Sequence, residues 1–280
     1  MIVSPAALDA FLAANDKAAL VRLAAAKGST PRAAGTWMLV SHDAMLGTIG
    51  GGQMEFLAID AARKLLAEKG SETPVLDLAL GPEIGQCCGG KVTLHVSLLG
   101  ADDEAAIRAE VATNADALPS VFVFGAGHVG RALVKALALL PVRAVLVDSR
   151  QEELDRTGPD AEKRLTALPE EVVRAARAGS AFVVMTHEHS LDFLIVRETL
   201  LRGDAAYVGM IGSKTKRASF ERYCARQDSA VDAARLVCPI GAQGSRDKRP
   251  EVIAAFVAAE VIATLPAEAG TVVSEASTDA

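Results

Sequence analysis

The sequence is short of several things, and each shortage excludes a class of protein. Cysteine occurs four times in 280 residues, at positions 87, 88, 224 and 238. The adjacent pair Cys87-Cys88 matches neither a disulfide framework nor the CxxC redox spacing, so free thiols in a reducing compartment are expected. Positive charge is in deficit: 29 Lys and Arg against 35 Asp and Glu leave a formal net charge of −6. That is the wrong sign for affinity gained by releasing counterions from a nucleic acid backbone, and no nucleic acid partner is expected. No stretch is apolar for the roughly 20 residues that a spanning helix needs. The opening Met1-Ile2-Val3-Ser4-Pro5 lacks a basic region ahead of an apolar run. The expectation is a cytoplasmic protein with no membrane partner.

What is present suits a globular chain. Half the residues are hydrophobic and 23% are charged, a balance that folds around a core, and the length suffices for two domains. The expected fold class is α/β: an N-terminal α+β domain over residues 1–105, a linker over 106–118 within a stretch from about Ala101 to Pro119 whose Asp, Glu and Ala suit either a solvated helix or an exposed connection, a Rossmann-like parallel-sheet domain over 119–266, and a disordered tail over 267–280. In the first half, helical spacing of Met54, Leu57, Ala58, Ala61, Leu65 and Leu66 predicts a helix from about Gln53 to Lys69. Strand patterns flank it at Leu20 to Ala25, Thr36 to Val40, Val75 to Leu80 and Lys91 to Leu98. From Ser120 onward strand and helix patterns alternate, which predicts a parallel sheet with covering helices.

The clearest chemical signal is Val121-Phe-Val-Phe-Gly125-Ala-Gly127-His128-Val-Gly130, with Val147-Asp148 closing the next strand. A buried strand feeding a GxGxxG turn that opens a helix is the dinucleotide-binding fingerprint. Gly125 permits the tight turn, Gly127 lets backbone approach a phosphate, and Gly130 lets helix pack on strand. Asp148 is placed to accept hydrogen bonds from ribose hydroxyls, and His128 occupies a variable position of the loop, where it either looks into a ligand crevice or simply starts the helix. The same glycines also serve simply to shape a turn.

Four further constellations stand out. Gly50-Gly51-Gly52-Gln53-Met-Glu55 is a second glycine turn before a helix, able to bring backbone amides to an anion, with Gln53 and Glu55 at its mouth. Gly85-Gln86-Cys87-Cys88-Gly89-Gly90 holds two thiols in a loop, a donor pair suited to sulfide or a transition metal, although a free cysteine is most often a small hydrophobe. Tyr207-Val-Gly-Met-Ile-Gly212-Ser213-Lys214-Thr-Lys216-Arg217 passes from strand to helix. There Ser213 is a candidate cap, and Lys214, Lys216 and Arg217 offer charge either to an anion or to Glu221 and Asp228. His187 and His189 follow the strand Phe182 to Met185 at a spacing that aims both rings one way, but without a third metal ligand nearby.

In order, these pieces resemble the XdhC/CoxI family of xanthine dehydrogenase accessory proteins. The resemblance rests on Gly28-Ser-Thr-Pro-Arg32, Gly50-Gly51-Gly52 with Glu55, Cys87-Cys88-Gly89-Gly90, the GAGHVG fingerprint and Tyr207 to Lys214. It closes with Cys238-Pro-Ile-Gly241 and Arg249-Pro-Glu-Val-Ile-Ala254. It implies a two-domain chaperone that binds the molybdenum cofactor, holds it while a cysteine desulfurase replaces a terminal oxo ligand with sulfide, and passes it to apo xanthine dehydrogenase. It also implies a homodimer. Molybdenum would be met by Cys87 and Cys88, and the pterin phosphate by one of the two glycine turns. Two other readings stay open: an NAD-dependent oxidoreductase, in which NAD(P) fills the Rossmann-like half and His187 is the candidate acid or base, and a regulatory module that senses a nucleotide.

Overall fold

The computed structural model describes residues 3–67, 74–81, 89–158, 161–227, 231–242, 244–245 and 247–265. Cys87, Cys88 and the tail expected over 267–280 lie outside the described residues. The chain divides into two compact units, one ending at Ala117 and the other beginning at Leu118.

The first unit holds α1 (Pro5–Ala14), β1 (Ala19–Lys27), β2 (Trp37–Val40), β3 (Met45–Gly47), α2 (Gly52–Ala67), β4 (Val75–Ala79), β5 (Lys91–Leu98) and α3 (Ala101–Ala117). Its five strands pair antiparallel in the order β3-β2-β1-β5-β4. Both faces are covered, and the period-2 alternation of a strand sorts the side chains between them. Ala19, Val21, Leu23, Met38, Val40, Leu94 and Val96 turn to α2, which answers with Met54, Ala58, Ala62 and Leu65. Leu20, Trp37 and Leu39 turn to α1 and α3, where Leu8, Phe11, Ile107 and Val111 meet them. Burying a side chain of this kind is worth roughly 1.5–3 kcal/mol. The stretch expected as a linker over 106–118 is therefore a correction: most of it belongs to α3, seated by Ile107 and Val111 and exposed over most of its other positions. Only two apolar residues one turn apart, Ile107 and Val111, fix that helix among Ala, Asp and Glu, too little periodicity to stand out.

The second unit runs β6 (Ser120–Phe124), α4 (His128–Leu137), β7 (Arg143–Asp148), α5 (Gln151–Asp155), β8 (Glu162–Leu165), α6 (Pro169–Ala175), β9 (Ala181–Val184), α7 (His189–Arg202), β10 (Tyr207–Met210), α8 (Lys214–Arg226), β11 (Leu236–Val237) and α9 (Pro250–Thr264). All pairings are parallel, in the order β11-β10-β9-β6-β7-β8. This is the doubly wound arrangement, with its switch point between β6 and β9, where ligands of open α/β sheets bind. One face of the sheet packs on α4 and α9 through Leu133, Val134, Leu137, Val257 and Val261. The other packs on α7 and α8 through Ile195, Val196, Leu200 and Phe220, with Phe122 and Phe182 stacked at 5.4 Å between ring centroids.

Candidate functional site

A cavity of about 350 Å³ opens at the carboxyl ends of β6, β7, β8 and β9, within the second unit. Phe124, Val147, Ala167, Pro169, Leu191 and Ile195 supply apolar walls, and Asp148, Ser149, Thr166, Thr186, His187 and Glu188 the polar groups. Apolar walls with a few convergent polar groups at a switch point are the usual form of a small-ligand site.

The three fingerprint glycines have separate reasons. Gly125 has φ +114°, and a Cβ there would stand 2.4 Å from the Met185 carbonyl oxygen, so the loop after β9 closes directly on it. At Gly130 a Cβ would meet the Gly125 carbonyl oxygen at 1.9 Å, which is the close seating of α4 on the turn. Gly127 differs: it precedes α4 with φ −67°, and a Cβ would find nothing within 4 Å. Neither its backbone conformation nor packing against the described residues calls for a glycine at 127. His128 is the first residue of α4 and is exposed.

Asp148, expected as the ribose acceptor, is buried and already engaged. Its Oδ2 accepts from the Ala126 amide at 2.7 Å and from Arg150 Nη2 at 2.9 Å. Its Oδ1 accepts from the Arg150 amide at 3.0 Å and Nε at 2.9 Å. Burial pushes this carboxyl up, but the Arg150 guanidinium and the two amides outweigh it and hold it below the ordinary carboxylate range. Arg131 links the same loop to α5, donating to the Ala126 carbonyl at 2.6 Å and to Glu153 at 2.7 Å. Of the two arginines, Arg150 has a signal in the sequence, the short step from Asp148, whereas Arg131 has none, its partner Glu153 lying 22 positions away.

On the far wall the loop after β9 is tied down by a buried acid. Asp192 is fully buried, and its Oδ1 accepts from the Thr186 amide at 2.9 Å and hydroxyl at 2.7 Å. Its Oδ2 pairs with Lys216, which also donates to the Ile211 carbonyl at 2.9 Å. Lys216 is thus neither a free charge for an anion nor a partner of Glu221. Arg217 does bind Glu221 at 3.1 Å, and it also donates to the carbonyls of Leu236 and Ala233. Ser213 caps α8 by accepting from the Lys216 amide at 3.3 Å, and Lys214 stands exposed beside it. His187 lines the cavity, whereas His189 begins α7. The two do not share a strand, because β9 stops at Val184.

The glycine turn of the first unit has an occupant of its own. Gly50, Gly51 and Gly52 have φ of +130°, +81° and +66°. Glu55 Oε2 accepts from Thr48 Oγ1 at 2.6 Å and from the amides of Ile49 and Gly51, each at 3.1 Å. Of the amides expected to meet an external anion, that of Gly51 is met by the helix's own acid and that of Gly50 by Thr48 Oγ1 at 3.2 Å, while Gln53 is exposed. Among the described residues no group of three or more His, Cys, Asp and Glu is placed to hold a metal ion. No helix among them is long and apolar enough to cross a membrane.

An α/β chain with a doubly wound second unit, a glycine-rich turn after its first strand and a switch-point cavity belongs to the class of proteins with a Rossmann-type domain. The chain belongs to the XdhC and CoxI family: the model of the XdhC Rossmann domain matches residues 121–261, just over half the chain, and the model of the XdhC and CoxI family matches 11–78. A curated relative, the uncharacterized protein YqeB of Escherichia coli (strain K12), is 26% identical over 254 residues. That match takes in 87% of this chain and 43% of the relative, so the chain spans less than half its relative's length. A solved structure from Bacillus halodurans, titled a xanthine dehydrogenase, superposes with TM-score 0.68 at 19% identity, over 92% of this chain and 95% of that one. At that identity the likeness shows the fold.

Proposed function

We propose that this chain is an accessory protein of molybdoenzyme maturation: it binds the molybdenum cofactor, supports its sulfuration by a cysteine desulfurase, and delivers it as a homodimer to apo xanthine dehydrogenase. The observation that carries this reading is that models of one family match both units in chain order. Cys87 and Cys88 are the soft donors proposed for molybdenum. Of the two glycine turns, the one at Gly50 and Gly51 already gives those two amides to Thr48 and Glu55, so a phosphate is proposed to rest at Gly127, at the start of α4. The cavity beside it has the volume and mixed lining of a nucleoside site, and a nucleotide is the second ligand proposed for this chain.

The test offers the purified chain free molybdenum cofactor without oxygen, removes unbound material, and quantifies retained molybdenum and pterin. Near-stoichiometric retention is expected, with molybdenum lost in the Cys87→Ala/Cys88→Ala double variant. Cys224 and Cys238 serve as internal controls, since burial pushes both thiols up and leaves them poor ligands. Retention of neither molybdenum nor pterin would sink the proposal, and retention untouched by the double variant would sink the thiol assignment.

A further inference from the structure

We infer that the crevice of the second unit binds its nucleotide without reading the ribose 2′ position, and that Arg150 is the residue that sets this specificity. The inference rests on the nucleotide reading of the cavity. In a doubly wound dinucleotide site the acid at the end of the second strand receives the ribose hydroxyls, and Asp148 stands at that place on β7. An ionised carboxylate offers about four acceptor positions. Here four donors take them: the amides of Ala126 and Arg150, and Nε and Nη2 of Arg150, all between 2.7 and 3.0 Å. A ribose diol approaching Asp148 therefore has to break the two-pronged ion pair before it gains a hydrogen bond. Exposure points the same way: the Asp148 side chain is 3% exposed and that of Arg150 is 37%. The acid thus lines the crevice with its acceptors already filled, two of them by the more exposed guanidinium.

The charge has a second consequence. A bare carboxylate at this point repels a 2′-phosphate, whereas the Asp148–Arg150 pair is neutral and carries no such penalty. The fingerprint thus keeps its phosphate turn at Gly127 while its sugar reader is locked. The ligands it fits are nucleoside phosphates carrying a hydroxyl, a hydrogen or a phosphate at the 2′ carbon.

Calorimetric titration of the full chain with NAD, 2′-deoxy-NAD and NADP tests this. The three dissociation constants are expected to agree within about threefold, because no hydrogen bond to the 2′ group is lost or gained. In Arg150→Ala, with folding checked by circular dichroism, the freed acid is expected to favour NAD over the other two by roughly tenfold or more. A wild-type loss of roughly tenfold on removing or phosphorylating the 2′ hydroxyl would mean that Asp148 opens to the sugar, and would overturn the inference whether or not the variant folds. Absence of binding by all three at millimolar ligand would remove the nucleotide reading and this inference with it. The cofactor-retention assay would still stand as the separate measure of the maturation role.

Discussion

Glycines 125 and 127 belong to one motif and carry opposite demands. At Gly125 any side chain meets the Met185 carbonyl and a left-handed backbone at once; at Gly127 φ is ordinary and the space is empty. Gly125→Ala is therefore expected to destabilise the second unit by roughly 2–4 kcal/mol, combining backbone strain with a clash against backbone. Gly127→Ala is expected to fold with an unchanged thermal midpoint yet bind nucleotide about tenfold more weakly, since the methyl group keeps a phosphate off the α4 amides. Equal destabilisation by both substitutions would mean that Gly127 serves the fold and not a ligand. The sequence already shows the motif, because its spacing is local. It does not show what Asp148 and Glu55 bind. Asp148 spends its acceptors on Ala126, 22 positions back, and on Arg150, and Glu55 turns back onto Thr48 and the amides beside it. Residue type marks a carboxylate as available, and only coordinates show that its capacity is used.

Between elements, the pair Lys216–Asp192 ties α8 to α7 and, through Thr186, to the loop lining the cavity. Both side chains are nearly excluded from solvent, at 10% and 0% exposure. Removing one partner of such a pair strands the other charge, which costs about 3–5 kcal/mol. Lys216→Met should show that loss in urea unfolding, and Lys216→Met/Asp192→Asn should recover part of it; additive losses in the double variant would show that the two groups act independently. Neither partner was legible as such, because Asp192 reads as an ordinary first-turn acid of α7. The strands were legible in proportion to their burial. Those of β6, β7, β9 and β10 are covered on both faces and spell continuous apolar runs. By contrast β8, Glu-Lys-Arg-Leu at the sheet edge, has no such run and went unseen. The helix α1 also escaped notice, although Ser4 accepts from the Ala7 amide and Pro5 opens it, both of them start signals.

At the scale of the molecule, each unit is built around its own sheet. The clusters on the two faces of the antiparallel sheet draw their buried residues from Leu8 to Val111, and those of the parallel sheet from Val121 to Leu265. A fragment of residues 118–265 is thus expected to unfold cooperatively, with the thermal midpoint that this unit shows in the whole chain. Acid then acts on that unit through its own ion pairs. Asp148, Glu153, Glu162, Asp204 and Asp247 all lie in it, each held below the ordinary carboxylate range by arginine. Most of these are solvent-screened and contribute little each; Asp148 is the buried one. A carboxylate whose folded value is depressed stabilises the fold fully above its unfolded value, near pH 4, and loses that contribution as pH falls through the folded value. The fragment's midpoint should therefore drop steeply below about pH 4, and the slope should flatten in Arg150→Ala, where Asp148 loses the guanidinium that depresses it. If the fragment failed to fold while the whole chain folded, the second unit would depend on the first; an unchanged acid slope in Arg150→Ala would show that the Asp148–Arg150 pair contributes nothing to stability.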